Sequence, residues 1–443
     1  MKMEKIHKYV AVTPSKVQKD IMEMEFYLFI HFGINTFAGK EWSDGKVYSK
    51  KFNPTDLDCN NWCEVAKSVG AKGIILTAKH HDGFCLWQTN TTDYSVKNSP
   101  YKNGKGDVVK ELSEACRKNG LKMGVYLSPW DRNAKCYGTK EYDDFYISQL
   151  EELLTNYGEI FTVWLDGACG AGLDGKRKQK YDFQRYYQLI RKLQPNCAIS
   201  NCGPDVRWVG NEAGKSRKSE WNVVPKALFN ESVIMDKSQK TDKVPFKAID
   251  TTNEDLGSRK ILEKYDEYIW YPAEVDVSIR KGWFYHKLQD FTVKSVDKLM
   301  EIYYASVGNN CTLLLNIPPD KTGKICKKDV KHMREFGERL KEEFNNKINL
   351  TKIEENENAV TYKFNKQLVT KAVIQEDLDF SQRIESFTLT TKIGNLEVVL
   401  YEGTTIGRKK IARLLEVETD NVTLRINDCR LNPKVKIFEI YGK

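Results

Sequence analysis

With 443 residues, 40% of them hydrophobic and 11% aromatic, the chain is too rich in core-forming side chains to be disordered and longer than one ordinary domain. Its 70 basic and 61 acidic residues leave a formal charge of +9, and no basic run is interleaved with exposed aromatics, so nucleic-acid binding is not expected. Eleven cysteines include no CxxC pair, which argues against a zinc ribbon or a thioredoxin-type site. Scattered through apparent strands and helices (Cys85, Cys116, Cys197, Cys311), they suit buried, reduced thiols.

Met1 to Asp20 is polar and lacks the apolar core of a signal peptide, and Phe26–Phe32 is too short to span a membrane. The expectation is a cytoplasmic protein without a membrane partner, or a secreted or periplasmic one if a signal segment has been removed. Strand-like runs then alternate with helix-like ones: Phe26–Phe32, Gly73–Ala78, Lys122–Leu127, Ile160–Leu165, Cys197–Asn201, Val275–Ile279 and Thr312–Ile317. Their near-continuous apolar character marks strands buried on both faces. Between them, Val108–Asn119 places Val108, Val109, Leu112, Ala115 and Cys116 on one face, with Asp107 as N-cap and Asn119-Gly120 as stop. Tyr142–Tyr157, Tyr181–Leu193 and Val296–Val307 follow the same pattern.

This repetition predicts an α/β fold, an irregular (β/α)8-like TIM barrel over residues 1–345, although only seven strands are evident. Residues 203–274 are charged and poor in periodicity, too long for an inert loop, and therefore functional or locally folded. Cys326–Asn346 reads as a charged helix leading out of the barrel. Beyond it the period becomes two, in Ala359–Phe364, Val422–Ile426 and Lys436–Ile440, which predicts an antiparallel β-sandwich over 346–443. With no cluster of exposed aromatics, that domain is expected to buttress the barrel rather than bind sugar.

Chemistry gathers where two strands end. Ile74–Ala78 runs into Lys79-His80-His81-Asp82-Gly83-Phe84, and Ile160–Leu165 into Asp166-Gly167. Taken singly, His80 and His81 could be one core and one surface residue, since neighbours on an extended chain point to opposite sides. Metal ligation is the sharper alternative, but no HxH or HExxH spacing accompanies them, and neither metal nor cofactor is expected. Asp166 could be a helix N-cap, and Trp42, Trp130 and Trp164 could be core. Their common position at the C-terminal edge of one parallel sheet is an active-site layout instead.

Together, His31-Phe32-Gly33, Glu41-Trp42, the Lys79–Phe84 segment, Tyr126-Leu127-Ser128-Pro129-Trp130, Val163-Trp164-Leu165-Asp166-Gly167 and Leu315-Asn316-Ile317-Pro318-Pro319 resemble the α-L-fucosidases of glycoside hydrolase family 29. The resemblance implies a retaining, metal-free exo-glycosidase on a barrel of irregular strand count, followed by a β-sandwich, with a fucosylated oligosaccharide as substrate. It places Asp166 at the family's nucleophile position and implies that His31, Glu41, Trp42, His80, His81, Tyr126 and Trp164 line the fucose pocket, with Trp283 closing it. Imidazoles and a carboxylate can bind adjacent hydroxyls while aromatic faces pack on the sugar's apolar side.

The segment Gly203–Gly214 resembles the branch acting on α-1,3/4-linked fucose, in which the Glu after Gly-Asn, here Glu212, is the acid/base. Glu220 is the runner-up and Glu274 a third candidate. Glu220 could equally be a surface residue paired among Lys215, Arg217 and Lys218, and such a basic cluster opposes the raised pKa a general acid needs. Two rival functions remain: a catalytically inactive fucose-binding lectin on this scaffold, against which the presence of both Asp166 and Glu212 counts, and a metal-dependent barrel hydrolase using His80 and His81.

Overall fold

The computed structural model describes residues 2–229 and 255–443. Eight parallel strands close a barrel: β1 Phe26–Ile30, β2 Gly73–Lys79, β3 Lys122–Leu127, β4 Ile160–Leu165, β5 Ala198–Asn201, β6 Val206–Trp208, β9 Ala273–Ser278 and β10 Thr312–Asn316. A short antiparallel pair, β7 Val223–Pro225 and β8 Tyr268–Trp270, lies between β6 and β9 in sequence. The helices among the described residues are α1 Lys2–Val10, α2 Lys16–Met24, α3 Ile34–Ala38, α4 Cys59–Ser68, α5 Val108–Asn119, α6 Glu141–Asn156, α7 Phe183–Leu193, α8 Arg259–Leu262, α9 Val296–Ala305 and α10 Lys327–Glu343.

The apolar runs are explained by two cores, one on each side of the barrel wall. Tyr27 and Phe29 of β1 join Ile75, Tyr126, Trp164 and Leu314 inside the barrel. Phe26, Leu28 and Ile30 face outward with Ile74, Leu76 and Val125 into the layer beneath the helices. Successive residues of each strand are thus buried on opposite faces, and no polar alternation is left to read. The helix over 108–119 forms as expected: Asp107 caps it by accepting from Lys110 N at 2.8 Å, and Gly120 ends it at φ +68°.

The eighth strand is β6, inside the segment that shows no periodicity. It has three residues and follows β5 after only residues 202–205, with no crossover helix. Asp205 holds this tight connection. Its carboxylate accepts from Ile199 N at 2.7 Å and pairs with Arg191 at 2.5 Å. Parallel neighbours ordinarily need a crossover of a dozen residues or more, so neither length nor pattern marked this strand. The remainder of that segment is partly folded, with β7, β8 and α8; its residues 230–254 lie outside the described residues. Helices α1, α2 and α4 had no counterpart in the sequence reading.

The C-terminal domain is one antiparallel network, β11 Thr351–Glu355, β12 Ala359–Glu376, β15 Lys410–Cys429, β13 Ile384–Ile393 and β14 Leu396–Gly403 in spatial order, with β16 Val435–Gly442 beside β12. Its apolar cluster, with Val369, Ile374, Phe387, Leu389, Leu424 and Ile440, contains only residues from Ile348 onward, so the sheet encloses its own core. Register shifts in the 18-residue β12 and the 20-residue β15 bend these long strands.

This domain is fastened to the barrel's N-terminal end. Lys409 pairs with Glu25 at 2.6 Å, Ile411 N donates to Gly308 O at 2.9 Å, and the Lys410 ammonium, 93% buried, donates to Asn309 Oδ1 at 2.8 Å. Burial lowers the Lys410 pKa to about 8 from an ordinary 10.5. Below about pH 8 folded and unfolded chains both carry this charge, and the folded one bears the full desolvation cost; between about 8 and 10.5 only the unfolded chain holds the proton, so stability rises with pH. Lys410→Met should therefore stabilise the protein on the order of 1–2 kcal/mol at pH 7, after allowance for the hydrogen bond Asn309 loses. Thermal melts of both forms should converge as pH is raised from 8 to 10.

Candidate active site

The C-terminal ends of the barrel strands converge on a ring of aromatic and titratable side chains. His31 follows β1 directly. Asn316, the last residue of β10, donates its amide hydrogens to Ser278 Oγ at 2.9 Å and Trp283 O at 2.8 Å, which fixes its orientation. Its oxygen therefore accepts from His31 Nδ1 at 2.8 Å, and the His31 Nε2 lone pair is left for a ligand. Burial drives the His31 pKa down to about 3, so the ring is neutral at ordinary pH.

The Lys79–Phe84 segment divides its labour. Lys79 points away from the site, fully buried, bonded to Asp131 Oδ2 at 2.9 Å and Gln149 Oε1 at 2.8 Å, with the rings of Tyr142, Phe145 and Tyr146 around it. This anchor holds the strand end from which His80 and His81 emerge. Gly83, at φ +89° and against the Asp131 carboxylate, turns the chain where a side chain would clash. Both histidines enter the site, correcting the expectation that adjacent residues part to opposite sides: β2 ends at Lys79, and their rings lie 4.1 Å apart. Burial lowers both their pKa values. His80 stacks on Tyr126 at 5.8 Å. Ser128 donates to Trp130 O at 2.7 Å and so accepts from His81 Nδ1 at 2.8 Å, which leaves His81 Nε2 facing Asp166 Oδ2 across 3.7 Å.

Asp166 stands just past β4. Its Oδ2 accepts the Tyr126 hydroxyl at 2.9 Å and its Oδ1 accepts Ala168 N at 2.8 Å. The latter is a turn contact two residues on, and no helix begins there, so the N-cap alternative does not apply. Burial and the neighbouring Asp166 charge push the Tyr126 pKa well up and keep its proton in place as a donor. Trp164 stacks on Tyr126 at 5.6 Å from beneath, while its indole N–H donates to Glu274 Oε1 at 2.6 Å.

The remaining wall comes from two loops. Glu41 accepts from Trp283 N at 2.8 Å and Phe284 N at 3.4 Å, which ties the loop after β1 to the loop after β9; burial raises its pKa. Glycine at 282 is required here because a Cβ would overlap the Glu41 carboxylate. Trp283 lies 5.0 Å from His31, and Trp42, 51% exposed, packs edge-on against His81 at 5.4 Å and Trp130 at 5.5 Å. All eight expected binding residues, His31, Glu41, Trp42, His80, His81, Tyr126, Trp164 and Trp283, thus surround this one opening.

The candidate acids separate by environment. Glu212, in the exposed loop after β6, lies close enough for its charge to raise the pKa of Glu41 and of Asp276. Glu220 is not a surface residue. It is fully buried, bonded to Arg207 and to Arg217 N at 3.0 Å, and its carbonyl accepts from Asn310 at 2.9 Å and Gln382 at 3.1 Å beside the C-terminal domain. Glu274 sits inside the barrel beneath Trp164, also bonded to Tyr27, and burial pushes its pKa up to about 7. Asp276, two residues further along β9, accepts from Trp208 Nε1 at 2.7 Å. The sequence reading passed over Asn316, Ser128, Phe284, Trp208 and Asp276. Only Asp276 left a signal: with Glu274 it makes an acidic pair spaced by two in a buried strand, and both must face the barrel interior because helices cover the outside.

Among the described residues, no group of three or more His, Cys, Asp and Glu side chains is arranged to hold a metal ion. Among the same residues, no helix is long and apolar enough to cross a membrane. The family model described as alpha-L-fucosidase matches residues 3–345. Alpha-L-fucosidase 1 of Arabidopsis thaliana is 40% identical, over 97% of this chain and 87% of that protein. A solved Bacteroides ovatus structure superposes with a TM-score of 0.91 at 44% identity, covering 100% of this chain and 76% of that one. A glycoside hydrolase 29 family member from an unknown rumen bacterium does so with a TM-score of 0.85 at 38% identity, covering 97% and 77%. A barrel whose strand ends carry these residues, matched by that model along most of its length, belongs to the α-L-fucosidases of glycoside hydrolase family 29.

Proposed function

We propose that this enzyme is a retaining exo-glycosidase that releases terminal α-L-fucose by double displacement, with Asp166 as nucleophile and Glu212 as acid/base. The observation that carries the reading is the setting of Asp166. Its carboxylate is aimed by Tyr126 and Ala168 N into a ring of neutral histidines and aromatic faces, where a sugar's hydroxyls and apolar side can both be met. In the first step Asp166 attacks the anomeric carbon as the glycosidic C–O bond breaks, and Glu212 passes its proton to the departing oxygen. In the second, Glu212 takes a proton from water, the water oxygen attacks the same carbon, and Asp166 is released, so that two inversions restore the α configuration.

Glu212 is preferred to Glu220 because it stands in the loop leaving the barrel mouth, among the carboxyl groups of Glu41 and Asp276, where negative neighbours favour retention of a proton. Glu220 is clasped by Arg207 and Arg217 away from that mouth, which favours a bare carboxylate and a structural role. Glu274 is closed off beneath Trp164. The substrates we propose are α-1,3/1,4-linked fucosides of Lewis-type glycans. Support comes from the Gly203–Gly214 segment, which bears both Trp208 and Glu212 at the site where the leaving sugar must sit. A cytoplasmic location follows only from the polar first residues and is proposed on that ground alone.

On a panel of α-1,2, α-1,3, α-1,4 and α-1,6 fucosides, branched Lewis trisaccharides should be cleaved fastest. Simple substrates should lose kcat as well as KM, since contacts to the second branch act in the transition state. An aryl fucoside turned over as well as the branched trisaccharide would refute this specificity.

Replacing Asp166 by Ala should abolish nearly all turnover yet keep fucose binding, measurable by calorimetry, because the residues that hold the sugar are intact. Azide entering the vacated space should restore part of the rate on an activated aryl fucoside and yield a β-fucosyl product.

For the second carboxyl, Glu212→Ala should cripple natural glycans, on the order of 10²-fold or more, and spare fucosylation from aryl fucosides whose leaving groups need little protonation. Glu220→Ala should instead lower the melting temperature through two unpaired buried guanidinium groups. Leaving-group dependence appearing in the Glu220 variant and not in the Glu212 variant would move the acid/base role to Glu220.

A further inference from the structure

The barrel mouth holds a carboxyl group that the proposed chemistry does not use. Asp276 is 3% exposed, points inward from β9, and lies one pleat above Glu274. Glu274 is already engaged by Trp164 and Tyr27, so it belongs to the barrel's interior packing. Asp276 belongs to the next layer up. Its Oδ1 accepts the indole N–H of Trp208 at 2.7 Å, across the β6–β9 seam where Trp208 is in register with Glu274. Trp208 is the last residue of β6, and the loop that starts there reaches Glu212 four positions later.

The groups facing this place come from every adjoining element. Glu212 approaches from the β6 loop, Glu41 from the loop after β1 with His286 near it, and Glu274 from the same strand. The β10 partners of this stretch, Leu314, Leu315 and Asn316, are uncharged. Apart from the Trp208 N–H, the influences on Asp276 all oppose its charge: burial first, then Glu212, then Glu274. Two carboxyl groups so placed out of water cannot both ionise readily, and the pair keeps one proton between them over a wider pH range than either would alone.

We propose that Asp276, pinned by Trp208 to the barrel wall beside the Glu212 loop, is a positioning residue for the leaving-group side of the reaction. It shares a proton with Glu212 and thereby keeps Glu212 able to donate toward alkaline pH. Asp276 itself need not touch the substrate. The inference rests on the reading of Glu212 as acid/base.

The test compares wild type, Asp276→Asn and Glu212→Gln in kcat/KM against pH, on a Lewis trisaccharide and on an activated aryl fucoside. Asparagine keeps the shape and can still accept from Trp208, but it cannot repel or share a proton with Glu212. With the repulsion gone, Glu212 should ionise at lower pH. The alkaline limb for the trisaccharide should move down by about one pH unit, while the limb for the aryl fucoside stays in place. A residue with only a packing role would change the melting temperature and leave both limbs where they were, and that result overturns the inference. Glu212→Gln separates the two ideas. If it loses trisaccharide turnover selectively while Asp276→Asn leaves the limb unmoved, the inference alone fails; if Glu212→Gln cleaves both substrates like wild type, the acid/base reading fails first. Should Asp276→Asn not fold, the reciprocal measurement decides: the Asp276 carboxyl, followed by ¹³C NMR of aspartate-labelled protein, should titrate at lower pH in Glu212→Gln than in wild type. An unmoved resonance overturns the proposal.

Discussion

The structure depends on a barrel wall that is buried on both faces. A polar side chain has only two places in such a wall. It can stand at the open C-terminal end, where a ligand or water meets it, or it can point inside and be bonded to a neighbour, since an unpaired polar group there costs about 1–3 kcal/mol. Glu274, with Tyr27 and Trp164 on its oxygens, takes the second solution. His31, His80, His81 and Asp166 take the first, and each of them begins where its strand stops.

The electrostatics at the mouth follow from the same burial. Removing groups from water disfavours the charged form of each, so the histidines stay neutral while Glu41, Glu274 and Asp276 hold their protons toward higher pH. A pocket of neutral donors and acceptors is suited to a sugar, which is uncharged and presents hydroxyls in fixed directions. The strongly basic groups of the neighbourhood are kept out of it: Lys79 is locked to Asp131 and Gln149, Arg280 to Asp329 and Asp290.

The C-terminal sheet contributes at the opposite end. Its loop around residues 407–411 fills the entrance to β10, and its Gln382 reaches the backbone of Glu220 and Asn222. The segment between β6 and β9 is therefore gripped from below by the second domain while its upper part carries Trp208 and Glu212. The part of Glu220 in this arrangement is mechanical: a buried anion between Arg207 and Arg217 fixes the path of the chain that leads away from the acid loop.

What the sequence determined by itself is whatever local pattern encodes. Seven barrel strands, helix α5 with both of its caps, the change of period after residue 346 and the position of Asp166 and the histidines at strand ends were all legible, because burial on two faces, capping and alternation act over a few residues. Tertiary structure decided the rest. β6 has three residues and a four-residue connection in place of a helix, so nothing periodic announces it. Whether Glu220 is a surface or a buried ion pair turns on Arg207, thirteen positions away, and on the C-terminal domain. Asp276 comes beside the Glu212 loop only because β9 closes against β6, a contact between residues about seventy positions apart in the chain that exists once the barrel is shut and not before.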